Sequence, residues 1–117
     1  MSVTEPTVVS ERVSPPTAEL VLTVPADLDY FSGHFPSVPV VAGVVQIKWA
    51  LGFARSRLGV AGEVTGMETL KFHHVMGPGT EVRLALEYRA EAGKLRFSFA
   101  SAEQRYSSGC LRLETSP

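Results

Sequence analysis

His34 is the residue of this chain best placed to move a proton. It stands between Gly33 and Phe35-Pro36 in the stretch from Tyr30 to Gly43. Pro36 and Pro39 fix their own φ and bias Phe35 and Val38 toward extended conformations. A loop this stiff positions the imidazole at little further entropic cost. At Gly43 the chain turns into an almost wholly apolar segment, Val44-Val45-Gln46-Ile47-Lys48-Trp49-Ala50-Leu51. A histidine held beside a helix N-terminus suits acid/base chemistry on a carbonyl compound, because the imidazole carries the proton while the first helical amides face the developing negative charge. Gly43 also has a plainer reading, the relief of crowding at a buried helix start, and the two hold together.

Lys48 is the other side chain in this segment that demands an account. Over Val44–Ala54 the only polar side chains are Gln46 and Lys48. Three readings stand side by side. The lysine stem packs in the core and its ammonium snorkels to a carboxylate or to water. Alternatively, desolvation lowers its pKa and it serves as a proton donor. Or it marks a site that has lost its acid. His73 and His74 follow one another on an expected strand, facing opposite ways, and no Cys/His cluster joins them, so they read as structural and no metal site is expected. Lys71, Arg55 and Arg57 are cations that an acidic partner would meet. Trp49 and Phe53 read as core or tunnel wall, and Cys110 as a small core residue.

The elements that must hold these residues follow from the pattern. Residues 1–17 are rich in Ser, Thr, Val and Pro and suggest a flexible N-terminal arm, with Val8-Val9 the one hint of an edge strand. A single domain is expected over residues 18–117. Ala18–Val24 reads as a strand ended by Pro25. Val44 to about Leu58 is the strong helix, stopped by Gly59 and carrying Arg55 and Arg57 where the macrodipole favours cations. Its composition predicts burial nearly all round, enclosed by a sheet. Strands follow at Glu63–Phe72, Glu81–Ala90, Lys94–Ala100 and Arg105–Glu114. Val82, Leu84, Leu86 and Tyr88 share one face of the second of these, and Leu95, Phe97 and Phe99 one face of the third. Consecutive hairpins make the sheet antiparallel. The fold class is α+β.

The bulk numbers narrow the function classes. The chain has 117 residues, a net charge of −1 and 44% hydrophobic residues, which suits one globular domain and gives no basic footprint for nucleic acid. Cys110 is the only cysteine, in keeping with a reducing, cytoplasmic setting. No run of about 18 apolar residues exists, so no membrane insertion is expected.

Gly33-His34-Phe35-Pro36-x-x-Pro39-Val40-x-x-Gly43-Val44, followed by the apolar helix, resembles the motif of the β-hydroxyacyl acyl-carrier-protein dehydratases. Leu70-Lys71-Phe72 and Gly77-Pro78-Gly79-Thr80-Glu81-Val82 resemble that family's later strand and proline-glycine turn. Gly43-Val44-Val45-Gln46-Ile47-x-Trp49-Ala50 is similar to the small dehydratase-like proteins of aryl-polyene and related pigment pathways. The resemblance spans roughly residues 18–114. It implies a hot-dog fold, an antiparallel sheet wrapped round one long central helix, and a dimer joined sheet edge to sheet edge with sites at the interface. It further implies that His34 handles the proton at C2 of a thioester and that the Gly43 N–H binds the thioester carbonyl. Phe35 and Val44 would line the acyl site. Two departures from the pattern stand out. Ala42 replaces the usual proline, and Lys48 occupies the place of the helix acid, with no Asp or Glu anywhere from Phe31 to Gly62.

Three functions follow as expectations. The first is a lyase, the reversible dehydration of a 3-hydroxyacyl thioester to its trans-2-enoyl product in fatty acid or polyene-type biosynthesis. The substrate would ride on the phosphopantetheine of an acyl carrier protein, and the enzyme would need no cofactor of its own. The second is a non-catalytic acyl-binding subunit, in a homodimer or in a heterodimer with an active hot-dog paralogue that supplies the missing acid. The third, minor, is an acyl thioesterase, which this helix without a carboxylate serves poorly.

Overall fold

The computed structural model describes residues 4–27 and 40–114. Alternation of apolar and polar residues builds six antiparallel strands, β1 (Thr7–Ser14), β2 (Thr17–Thr23), β3 (Val64–Phe72), β4 (Glu81–Arg89), β5 (Lys94–Ala100) and β6 (Arg105–Leu113), and one α-helix, α1 (Gly43–Leu58), lies among them. The sheet runs in the order β1-β2-β4-β5-β6-β3. Register places Leu20 opposite Leu84, Leu84 opposite Phe99, and Leu95 opposite Leu111, so their side chains line one face. Against that face α1 sets Val45, Trp49, Ala50, Phe53 and Ala54, all buried. This is the α+β arrangement that the alternation predicts.

The helix ends as its sequence suggests. Gly59 takes a left-handed φ of 66° and the Val60 N–H reaches back to the Ala54 carbonyl at 3.4 Å. Its burial differs from expectation. One face packs on the sheet, while Val44, Lys48 and Gly52, one turn apart, are exposed, Val44 by 72%. The sheet covers a single side of α1, so the apolar outer face is left at the surface of the single chain.

The N-terminal segment is also corrected. Thr7–Ser14, expected as an arm, pairs along the whole of β2, and Pro15-Pro16 forms the two-residue turn between them. Val8 packs on the core, the Thr4 carbonyl accepts a hydrogen bond from the Trp49 indole at 2.9 Å, and Glu11 pairs with Arg57 at 2.8 Å. These contacts join the segment to the helix and supply what its composition did not advertise.

Two irregularities shape the end of the sheet that faces the helix start. In β6 the register passes from Arg105–Ala100 to Ser107–Phe99, leaving Tyr106 as an extra residue and burying both Tyr106 and Ser107. In β3 the register passes from Glu68–Cys110 to Lys71–Ser108. Thr69 sits in this second bulge at φ 50°, a left-handed conformation that costs a β-branched residue on the order of 1–3 kcal/mol.

Candidate functional site

The site is built around the first turn of α1. Ala42 enters it in an extended conformation, and its carbonyl accepts from the amides of Val45 at 3.0 Å and Gln46 at 3.1 Å. The first turn holds no acidic residue, and helix geometry leaves the Gly43 and Val44 N–H groups without an intrahelical acceptor. Among the described residues nothing caps these two amides, and the partial positive charge of such a helix end suits a carbonyl oxygen or an anion.

The strand-like approach to this turn is pinned from two sides. The Val41 N–H donates to the Met76 carbonyl at 2.7 Å, and Met76 is fully buried. The Gln46 amide, itself buried, donates to the Val41 carbonyl at 3.0 Å and accepts from the Ser107 hydroxyl at 2.6 Å. A polar bridge in an apolar core is stable only when each of its groups is satisfied, and here each is. It ties helix start, incoming chain and β6 into one unit. Sequence reasoning singled out Gln46 as polar on an apolar helix but gave it no partner. Ser107 carried no signal, since its burial depends on the extra residue in β6.

Phe72 closes the site from β3. Its ring lies on Gly43 so tightly that a Cβ built there would stand 2.5 Å from one ring carbon and 2.6 Å from another. A side chain at position 43 would have to push this ring aside, so the helix start is crowded here. Exposed Val44, Phe72 and Val75, with Met67 and Leu70 further along β3, give this end of the molecule an apolar surface. Lys48 stands one turn beyond Val44 on the same exposed side of α1. His34 and Phe35 lie outside the described residues.

The remaining candidates are drawn away from the helix start. Arg55 donates to the Gly62 carbonyl at 3.0 Å, and Arg57 makes two hydrogen bonds to the Glu11 carboxylate while lying 5.2 Å from the Phe53 ring centroid. Hydrogen bonding to that guanidinium holds the Glu11 carboxyl below its ordinary range. β3 ends at Phe72, so His73 and His74 do not alternate across a strand. Both are exposed, with the His73 N–H on the Tyr106 carbonyl at 3.0 Å and the His74 Nδ1 3.2 Å from the Arg105 carbonyl. Cys110, expected in the core, is buried on the outer face of the sheet, where it lines a trough of about 750 Å³ with Lys71, Lys94 and Arg96. That trough does not reach the helix start. Glu68, the acid of β3, is engaged on the same outer side with Lys94 at 3.1 Å and Arg112 at 3.5 Å. Among the described residues no His/Cys/Asp/Glu group is arranged to hold a metal, and no helix is long and apolar enough to cross a membrane.

Comparison with known proteins bears on this site. A family model described as ApeI-like, for the ApeI dehydratase, matches residues 10–110. A 3-hydroxyacyl acyl-carrier-protein dehydratase, FabZ, of Acetivibrio thermocellus is 32% identical over 68 residues, covering 52% of this chain and 47% of that protein. The match thus spans about half the length of this curated relative. Among solved structures, the dehydratase heterocomplex ApeI:P from Xenorhabdus doucetiae superposes with a TM-score of 0.85 at 27% identity, covering 93% of this chain and 97% of that one. An uncharacterised protein from Erwinia carotovora subsp. atroseptica gives 0.82 at 29% identity, covering 94% and 96%. A dehydratase domain of a mycocerosic acid synthase-like polyketide synthase shares the fold at 20% identity and a TM-score of 0.65, covering all of this chain and 42% of that one. These neighbours bear out the hot-dog architecture.

Proposed function

Because this chain belongs to the ApeI-like dehydratase family, we propose that it takes part in the reversible dehydration of a 3-hydroxyacyl thioester to the trans-2-enoyl thioester, the substrate being carried on the phosphopantetheine of an acyl carrier protein. The observation that carries this reading is the helix start at Gly43, whose amide has no acceptor within the helix and which is flanked by apolar Val44 and Phe72. A thioester oxygen hydrogen-bonded there gains stabilisation as charge builds on it, which acidifies the C2 proton. His34 takes that proton. The C2–H electron pair forms the C2=C3 double bond, and the C3 oxygen leaves as water once an acid has protonated it. Phe35 and Val44 line the acyl group. The protein needs no cofactor of its own, and its single cysteine supports a cytoplasmic setting.

Lys48 favours a second reading. The helix acid of related dehydratases is absent here, and Lys48 stands on the outward side of α1. A similar chain is found in a structure described as a dehydratase heterocomplex. In this reading the present chain contributes the acyl site, and a hot-dog paralogue brings the acid across the interface.

Turnover of a 3-hydroxyacyl acyl-carrier-protein substrate by wild type, His34→Ala and Lys48→Glu decides between them. The dehydratase reading expects measurable wild-type turnover, a loss of roughly 10²–10⁴-fold in His34→Ala, and a gain in Lys48→Glu. Substrate binding without turnover in all three selects the non-catalytic subunit. Rapid wild-type turnover abolished in Lys48→Glu makes the lysine itself the acid.

A further inference from the structure

We infer that Phe72 is a specificity-determining residue, excluding acyl groups branched at C2, and that the Thr69 bulge aims it. This rests on the dehydratase reading of the helix start.

The argument begins with register. Met67 pairs with Leu111, whose side chain belongs to the core, and Glu68 pairs with Cys110 on the outer face. Regular alternation from Glu68 would turn residues 70 and 72 outward. Instead Leu70 Cδ1 lies 2.9 Å from where a Cβ on Gly109 would be, beside the core ring of Phe97, and Phe72 pairs with Ser107, whose hydroxyl reaches the helix. The extra residue reverses the faces. Thr69 takes the left-handed φ at that point, and its hydroxyl donates to the Glu68 carbonyl at 2.8 Å. A strained residue in a bulge that re-aims a side chain is a recognised device beside functional sites.

The ring so aimed fills the space beside the helix start. It leaves no room for a methyl group on Gly43, yet it is 51% exposed, so it is a wall of the site and not a buried core residue. A thioester whose oxygen sits on the Gly43 N–H carries C2 one bond from the carbonyl carbon, alongside this wall. A hydrogen at C2 is accommodated there, and a methyl group meets the ring. Bulk at one methyl is worth roughly 10–200-fold in discrimination by an apolar pocket.

The test compares 3-hydroxyhexanoyl-pantetheine with its 2-methyl counterpart by kcat/KM, and the matching unreactive amides by Kd. Wild type is expected to prefer the unbranched compound by about 10-fold or more, within the range one methyl group commands. Phe72→Ala is expected to bring the two within a few-fold and Phe72→Leu to fall between, while Phe72→Trp keeps or widens the gap. Deletion of Thr69 takes out only the extra residue and leaves Phe72 opposite Ser107, so it is expected to keep the wild-type preference. If the unbranched compound is turned over and the preference is the same in wild type and Phe72→Ala, the assignment of Phe72 is overturned and the dehydratase reading stands. If the protein is inert but binds the amides, the ratio of their Kd values decides for or against Phe72 in the same way. If wild type neither converts nor binds any of them, both the reading and the assignment fall.

Discussion

Gln46 shows how one side chain holds the site together. Its amide spans three elements, donating to Val41 before the helix and accepting from Ser107 on β6. Replacing it with leucine is nearly volume-neutral but strands the Ser107 hydroxyl and the Val41 carbonyl in the core. Each stranded buried group costs about 1–3 kcal/mol. Gln46→Leu is therefore expected to lower unfolding stability by about 2–6 kcal/mol in urea titration. Gln46→Leu with Ser107→Ala removes one of the two stranded groups and recovers part of the loss. A double variant no more stable than the single one would show that the Ser107 bond carries none of the effect.

At the scale of elements, β1 is the strand most dependent on a few contacts. It lies at the sheet edge, and its link to α1 includes the Glu11–Arg57 pair and the Trp49 bond to Thr4. The Glu11 carboxyl is held low by hydrogen bonding to Arg57, so folding favours its ionised form. A depressed carboxylate contributes stability that is present above its unfolded pKa and lost as pH falls through the folded one. That window lies below the ordinary glutamate value of about 4.3. Glu11→Gln is thus expected to melt below wild type at pH 7, with the gap closing as both are taken to pH 3. Since Glu11 is exposed the gap is small, and added salt narrows it further. An undiminished gap at pH 3 would assign it to packing.

For the whole molecule, the open edge of β3 and the outer side of α1 are the features that call for cover. Val44, Met67, Phe72 and Val75 are each at least half exposed, and an uncovered apolar sheet edge invites pairing with another chain. A second hot-dog subunit on this face would bury the apolar surface and bring its own side chains toward Lys48. We expect a dimer by light scattering at micromolar concentration, and a shift to monomer when Met67 and Val75 are both changed to lysine. A monomeric wild type would mean that the cover comes from a different chain, the paralogue of the second functional reading.

Much of this was legible in order along the chain. Period-two alternation in Glu81–Arg89 and Lys94–Ala100 gave both strands and their inward faces, and the apolar run closed by Gly59 gave the helix. Those are local signals, written in residues that are neighbours in sequence. Gly43 was legible as a site of close approach, though not what approached it. Composition misjudged Thr7–Ser14, because its pairing depends on β2, Trp49 and Arg57, all remote in sequence. It overstated the burial of α1, because apolar composition cannot say whether the covering surface belongs to the same chain. Cys110 faces outward and Ser107 inward, which composition did not indicate. A bulge adds one residue and reverses every face beyond it, and neither Tyr106 nor Thr69 bears a mark of this in its identity. Phe72 reaches Gly43 only through that reversal, so the wall of the site is a product of strand register, which is set by pairing across the sheet and not by any residue alone.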